Sequence, residues 1–379
     1  MSATELTRIL AIGARAGASD VHITAGTAPL MRVDGDLVAV PRHENPLSAD
    51  WVEGAAYELM TPAQREEFAT NHEVDLAHAA ESIGRFRVNV FRQLGDIAMA
   101  LRYIPDRVFS LEELGAPAIA SDLALRPRGL VLLTGPTGSG KSTTLTAMVD
   151  IVNNTRPVHV VTIEDPIEFH HTSNRALIHQ REVGSDTASF AEALRRVLRQ
   201  DPDVILVGEL RDPESISTAL SAAETGHLVL STLHTQGAAK SVNRIVDVFP
   251  ADQQHQIRTQ LGDTLQGIIS QTLLPRAQTA GRTIATEVLI NTPAVANLIR
   301  EGQVSQLYST MQAGQSVGMH TLDQDLRRLV GEGLIAAHVA RTFAVDPKSI
   351  DGVHVQPADL DAESWSTFAA GAQLEEWGS

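Results

Sequence analysis

The sequence predicts an α/β protein in two parts, on three observations. From residue 129 onward, short continuous apolar runs alternate with helical stretches, as expected of a parallel sheet covered on both faces. The first of those runs enters a glycine-rich loop that opens directly into a helical stretch. Residues 1–107 instead mix period-2 strand segments with helices, the pattern of a small α+β domain. The expected division is therefore 1–107, a connection over 108–128, a second domain with C-terminal helices over 129–345, and an acidic tail over 346–379.

In chain order, a first helix is expected over 4–16, where Leu6, Ile9, Leu10 and Gly13 share one face and Gly17 offers a C-cap. Residues 20–24 alternate as a strand, and residues 31–40 read as a hairpin turning at Asp34 and Gly35. Ser48 opens a helix through Met60, and Thr61 with Pro62 caps another that runs to about Ala69. Strand alternation returns over 84–91 and 97–104. Pro105, Pro117 and Pro127, with short helical pieces at 111–114 and 119–125, mark the connection. Buried strands then follow at 129–134, 158–163, 204–207 and 227–233, with helices at 144–152, 189–199 and 213–225. After about Pro250 the chain should be mainly helical, with Ile257, Leu261, Leu265, Ile268 and Ile269 on one apolar stripe. A strand-like 283–290 interrupts it before helices near 293–301, 303–313 and 321–333. From Asp346 onward seven acidic residues stand against one lysine, which points to an unfolded or loosely attached tail. Trp365, Phe368 and Trp377 there offer a binding element, but composition favours the unstructured reading.

A chain of 379 residues is long enough for two or three domains, and 43% hydrophobic with 20% charged content is ordinary for a globular protein. The net charge of -16, with no basic, aromatic-rich stretch, argues against a nucleic-acid machine that relies on chain-wide positive potential. With no cysteine there are no disulfides and no thiolate zinc sites, which suits a reducing compartment. No signal pattern opens the chain and no apolar run reaches membrane-spanning length. The expectation is a cytoplasmic protein without membrane insertion, any link to a membrane coming through partners.

The glycine-rich loop is Gly135, Pro136, Thr137, Gly138, Ser139, Gly140, Lys141, Ser142 and Thr143. Strand, loop and helix in that order make it a P-loop rather than an accidental glycine run. The glycines let successive N–H groups turn toward a phosphate, and the helix N-terminus adds partial positive charge. Lys141, one of only three lysines, can reach the β- and γ-phosphates, and the Ser142 hydroxyl can ligate Mg²⁺. The sequence therefore implies binding of a nucleoside triphosphate.

Three further stretches offer partners for the loop. Glu164 and Asp165 follow a buried strand, at the edge where ligands bind in such sheets. A carboxylate there can orient or deprotonate water or hold Mg²⁺ through water; turn chemistry at Asp165-Pro166 explains it equally well. Glu209 ends a Walker B-like strand after Gly208, where an aspartate is usual, and is the metal-side candidate. His227 and His234 flank one strand, about 23 Å apart if it is fully extended, too far to share a metal. His234 sits at the carboxyl end, near a γ-phosphate by analogy with sensor residues, whereas a lone strand histidine such as His227 is more often structural.

Residues 198–212 match the whole signature of bacterial type II/type IV secretion ATPases, Leu-Arg-x-x-Pro-Asp-x, three apolar residues, Gly-Glu, one apolar, Arg-Asp. Supporting segments are 17–22, 32–35, 84–89, the P-loop, 163–169, 226–234 and 294–301, so the resemblance covers about residues 5 to 335. It implies a PAS-like α+β N-terminal domain and a RecA-like P-loop ATPase domain with a helical C-terminal part, assembled as a homohexamer. It also implies ATP and Mg²⁺ as ligands, Glu164 as base for water, Glu209 at the Mg²⁺ side with Ser142, and His234 contacting the γ-phosphate. Arg87 and Arg102 match arginines of the N-terminal domain that approach the triphosphate, where guanidinium groups offset charge on the transferring phosphoryl group. Without the resemblance, each would read as half of a strand-surface ion pair.

Within the family the chain is most similar to the pilus-retraction branch. That implies a motor that drives pilin out of the fibre, through an inner-membrane pilus platform protein, at the cytoplasmic face. Assembly and secretion members generally carry an extra N-terminal domain and a four-cysteine zinc insert, and the start of this chain and its lack of cysteine favour retraction. Retraction members usually carry Ala-Ile-Arg-Asn-Leu-Ile-Arg-Glu near the C-terminus. Val295 and Ala296 replace the Ile-Arg pair here, with Asn297 through Glu301 intact. A RecA-like DNA-binding protein is disfavoured by the acidic balance. A regulatory subunit with little turnover is disfavoured by the presence of both Glu164 and Glu209.

Overall fold

The computed structural model describes residues 2–353 except 34, 81, 105, 106 and 280, and the chain divides into two compact units. The first runs to Val108 and includes Asp165–Thr172; the second comprises Phe109–Glu164 and resumes at Ser173. Among the described residues no helix is long and apolar enough to cross a membrane.

The first unit holds α1 (Ser2–Arg15), β1 (Asp20–Thr24), β2 (Leu30–Val33), β3 (Asp36–Ala39), α2 (Ala49–Leu59), α3 (Pro62–Asn71), β4 (Glu73–Ala80), β5 (Gly84–Gln93) and β6 (Asp96–Ile104). Its antiparallel sheet runs β3-β2-β1-β6-β5-β4. Local chemistry fixes the helix starts: Ser48 accepts from the Trp51 N–H, and Thr61 forms a capping box with Gln64 ahead of Pro62. β4, absent from the expected elements, turns Val74, Leu76 and Ala80 inward. The core gathers Ile9, Leu10, Val52, Phe68, Phe86 and Leu101.

The second unit begins earlier than expected. Leu111 and α4 (Ile119–Ala124), assigned from sequence to a connection over 108–128, belong to its core through Ala120, Leu123 and Ala124. Next come β7 (Gly129–Thr134), α5 (Lys141–Thr155), β8 (His159–Glu164), β9 (Leu177–Glu182), α6 (Phe190–Val197), β10 (Val204–Val207), α7 (Pro213–Glu224) and β11 (Leu228–Leu233). Then follow α8 (Ala238–Asp247), α9 (Gln254–Thr264), β12 (Leu265–Pro275), β13 (Arg282–Ile290), α10 (Pro293–Arg300), α11 (Leu307–Ala313), α12 (Leu322–Gly331) and α13 (Ala337–Phe343).

The sheet order is β13-β12-β7-β11-β10-β8-β9, parallel except at β13. The expected apolar helix stripe is corrected here. Ile257 and Leu261 lie on α9, whereas Leu265, Ile268 and Ile269 lie on β12. Pairing of β12 with β7 on one side and β13 on the other satisfies its backbone, and this outweighs helical spacing. The expected tail is also corrected at its start. Residues 347–350 form a 3-10 turn with Ile350 buried, Asp346 N–H donates to Asp323 Oδ2 at 2.9 Å, and Arg341 pairs with Asp351 at 3.0 Å. Residues 354–379, including Trp365, Phe368 and Trp377, lie outside the described residues.

Candidate functional site

Parallel strands deliver their carboxyl ends to one edge of the second sheet. Along that edge stand, in spatial order, the glycine loop after β7, His234 after β11, Glu209 after β10, and Glu164 ending β8. The span from β7 to β8 is three strand spacings, about 14 Å in all.

The loop is shaped by what only glycine allows. Gly135 has φ +142°, and a Cβ there would lie 2.3 Å from the Gln271 carbonyl oxygen on β12. Gly138 and Gly140 also take positive φ, of 78° and 87°. Gly140 caps α5 without a side-chain acceptor, which leaves the first N–H groups of the helix available to an anion. Lys141 is 7% exposed, and its ammonium donates to the carbonyls of Gly135 and Pro136 at 2.9 and 3.0 Å. Beside it the Thr134 and Ser139 hydroxyls are buried without a protein partner. Thr137 and Ser142 are exposed, while Pro136 and Thr143 are half-buried.

His234 joins this loop to the neighbouring strand ends. Its Nδ1 is 3.3 Å from Thr137 Oγ1 and its Nε2 is 3.2 Å from Glu209 Oε2. An Nε2–H faces the carboxylate, and Nδ1 accepts from the threonine hydroxyl in the neutral ring or donates to it in the charged one. Glu209 Oε2 also meets Arg211 Nη2 at 2.7 Å. Burial pushes the Glu209 carboxyl up, but the hydrogen bond from Arg211 and the charges of His234 and Arg211 outweigh it and hold the group below the usual range. Two side chains beneath steady β11 against β10: Ser231 Oγ donates to the Val207 carbonyl and Thr232 Oγ1 to that of Gly208, both at 2.6 Å.

Gly208 N–H donates to the Ile163 carbonyl at 2.8 Å, which carries the ladder past the end of β10 and sets Gly208, the residue before Glu209, beside Glu164. A Cβ on Gly208 would press within 3.3 Å of that same carbonyl oxygen. Glu164 Oε1 accepts from the Thr162 hydroxyl at 2.6 Å and the Gln180 amide at 3.2 Å, so the carboxylate is held in one orientation. The Asp165–Pro166 peptide that follows is cis. His227, at the other end of β11, makes a local contact from Nδ1 to the Ala222 carbonyl at 2.9 Å, in keeping with the structural reading.

In the first unit, Arg87 on β5 and Arg102 on β6 face each other directly in register. Like charges so placed on an antiparallel pair repel. Each is partly offset by an aspartate: Arg102 Nε is 2.9 Å from Asp20 Oδ1, and Arg87 Nε is 3.9 Å from Asp75 Oδ1. Both guanidiniums thus make the strand-surface pairs expected from the residues alone. Burial raises the Asp20 carboxyl, yet hydrogen bonds from Ser19 and Arg102 bring it below its ordinary value.

On α10, the two positions that depart from the retraction pattern, Val295 and Ala296, are buried, and Arg300 pairs with Asp263 at 2.6 Å. Thr162, Gln180, Arg211 and Gln271 also shape the edge and were not singled out from sequence. Of these only Arg211 carried a signal, two residues past Glu209 in the matched signature.

Among the described residues, no group of three or more His, Asp or Glu side chains is placed to hold a metal unaided. Ser142 and an ionised Glu209 are hard oxygen donors, the kind of partial set that Mg²⁺ completes with phosphate oxygens and water.

A family model described as "Type II/IV secretion system protein" matches residues 6–341. The type IV pilus retractation ATPase PilT of Pseudomonas aeruginosa is 50% identical over 345 residues, covering 91% of this chain and 99% of that protein. A twitching motility protein of Neisseria gonorrhoeae is 51% identical over 322 residues, covering 85% of this chain and 86% of that one. Among solved structures, that of the pilus retraction motor PilT with bound ADP matches with a TM-score of 0.85 at 45% identity, covering 90% of this chain and 98% of that one.

Proposed function

This chain belongs to the type II/IV secretion system protein family, and from that membership we propose that it is an ATP-hydrolysing motor of type IV pilus retraction. The observation that carries the reading is the continuous link from Thr137 through His234 to Glu209. It ties the phosphate loop to the carboxylate edge and so lets one site register the state of the nucleotide.

In this reading the loop N–H groups and Lys141 hold the β- and γ-phosphates. Glu164 takes the proton of the attacking water, its orientation fixed by Thr162 and Gln180. Ser142 and Glu209 would hold Mg²⁺, which would supply positive charge against the phosphate oxygens. His234 contacts the γ-phosphate. Arg87 and Arg102 act on the loop of a neighbouring copy in a homohexameric ring, where exchanging an aspartate for a phosphate gives them a second partner. Hydrolysis moves the first units and, through an inner-membrane platform protein at the cytoplasmic face, drives pilin subunits out of the fibre. Nucleic acid plays no direct part.

Mixing inactive variants tests the ring. Arg87→Ala and Glu164→Gln proteins should each be nearly inactive. In an equal mixture about a quarter of interfaces combine an intact arginine with an intact glutamate, so ATP turnover should recover measurably. No recovery at any ratio would place the arginine's action within one chain.

A further inference from the structure

Helix α8 begins four residues after His234, and its start is held from outside the helix. Its N-cap is Gly237, at φ +93°, with no side-chain cap of its own. Instead, Gly237 N–H donates to Ser270 Oγ on β12 at 2.9 Å, and Ala238 N–H donates to Glu287 Oε1 on β13 at 2.7 Å. From the loop, Thr235 Oγ1 lies 2.6 Å from Ser241 Oγ on α8. The two residues between His234 and Gly237, Thr235 and Gln236, leave the histidine little freedom once that helix start is fixed.

Glu287 is 7% exposed, in a strand whose other residues after Arg282 are apolar or carry hydroxyls. A buried carboxylate is costly unless its lone pairs are used. Burial raises its pKa, and hydrogen bonds from the backbone N–H groups of Ala238 and Leu322 oppose the rise without cancelling it. Leu322 is the first residue of α12, so one carboxylate serves the starts of two helices. At φ +93° position 237 admits glycine alone, so no local side chain can cap α8 and the cap has to come from β12 and β13. Ser270 is followed by Gln271, whose carbonyl packs against Gly135 and whose amide donates to Thr144 Oγ1 at 3.0 Å. The same strand therefore braces the phosphate loop and the loop that carries the histidine.

We propose that Glu287, together with Ser270, is a positioning residue for nucleotide hydrolysis, holding His234 between Thr137 and Glu209. The proposal rests on the ATPase reading of the site. Neither side chain touches the nucleotide; they act through the histidine.

The test is a double-mutant cycle on the full chain, with thermal melts as the folding control. Glu287→Gln keeps the shape but removes the carboxylate and replaces one of its acceptor oxygens with an NH2 donor. It should lower kcat for ATP about tenfold and leave the Kd of a fluorescent ADP analogue within about twofold. Combined with His234→Ala, it should cost at most about twofold beyond His234→Ala alone, because both changes remove one function. Additive losses, or a fall in ADP affinity as large as the fall in kcat, would overturn the proposal. If Glu287→Gln does not fold, Ser270→Ala carries the same cycle with the same expected and contrary results. Wild-type protein without ATP turnover would overturn the underlying ATPase reading and this proposal with it, an outcome distinct from additivity in an active enzyme.

Discussion

A Lys141→Ala variant loses nucleotide affinity. The ammonium is the one cation fixed within the glycine loop, where it donates to the carbonyls of Gly135 and Pro136. A triphosphate brings negative oxygens into the same cradle, and truncating one side of such a hydrogen-bonded charge pair costs about 2–5 kcal/mol. That corresponds to roughly 30- to 5,000-fold in Kd, readable by titration with a fluorescent ATP analogue. The fold should survive, because the loop's geometry comes from Gly135 against Gln271 and from β7 in the middle of the sheet. A melting temperature near wild type with lost binding is the expected pair of results. Near-normal binding and turnover would remove the loop from the mechanism.

Glu164→Gln separates binding from hydrolysis. Gln has the shape of Glu, and Thr162 Oγ1 and Gln180 Nε2 can still hydrogen-bond to its amide oxygen. What disappears is the ability to take a proton from water. General-base removal costs about 10²- to 10⁴-fold in kcat. Nucleotide affinity should stay close to wild type, so the variant should accumulate bound ATP that is recovered unhydrolysed after denaturation. Wild-type turnover would move the base elsewhere along the edge, with Glu209 the next carboxylate.

The parts of this site that were legible in the sequence are those set by local chemistry. Positive φ at Gly138 and Gly140 and the strand ends at Glu164 and Glu209 each follow from a few adjacent residues, as do the helix caps at Ser48 and Thr61 elsewhere in the fold. The parts that were not legible depend on distant pairing. Ile268 and Ile269 suit a helix stripe as well as a strand until β7 and β13 claim them. β9, from Leu177 to Glu182, carries an exposed leucine and four polar residues, and only its register with β8 brings Gln180 to Glu164. Arg87 and Arg102 are fifteen positions apart, and only the strand register makes them neighbours. Glu287 left a trace that can be read in retrospect, a carboxylate followed directly by the apolar run Val288, Leu289 and Ile290.

In the proposed mechanism, a nucleotide held by the loop of β7 is sensed at β11 and cleaved at the end of β8, and the energy released retracts a pilus. The direct measurement is pilus retraction in living cells of the source organism, followed with labelled pili. Cells that lack this chain should extend pili and fail to retract them, the wild-type chain should restore retraction, and the Glu164→Gln chain should not. Retraction at normal frequency in the deletion strain, or full rescue by Glu164→Gln, would contradict the account.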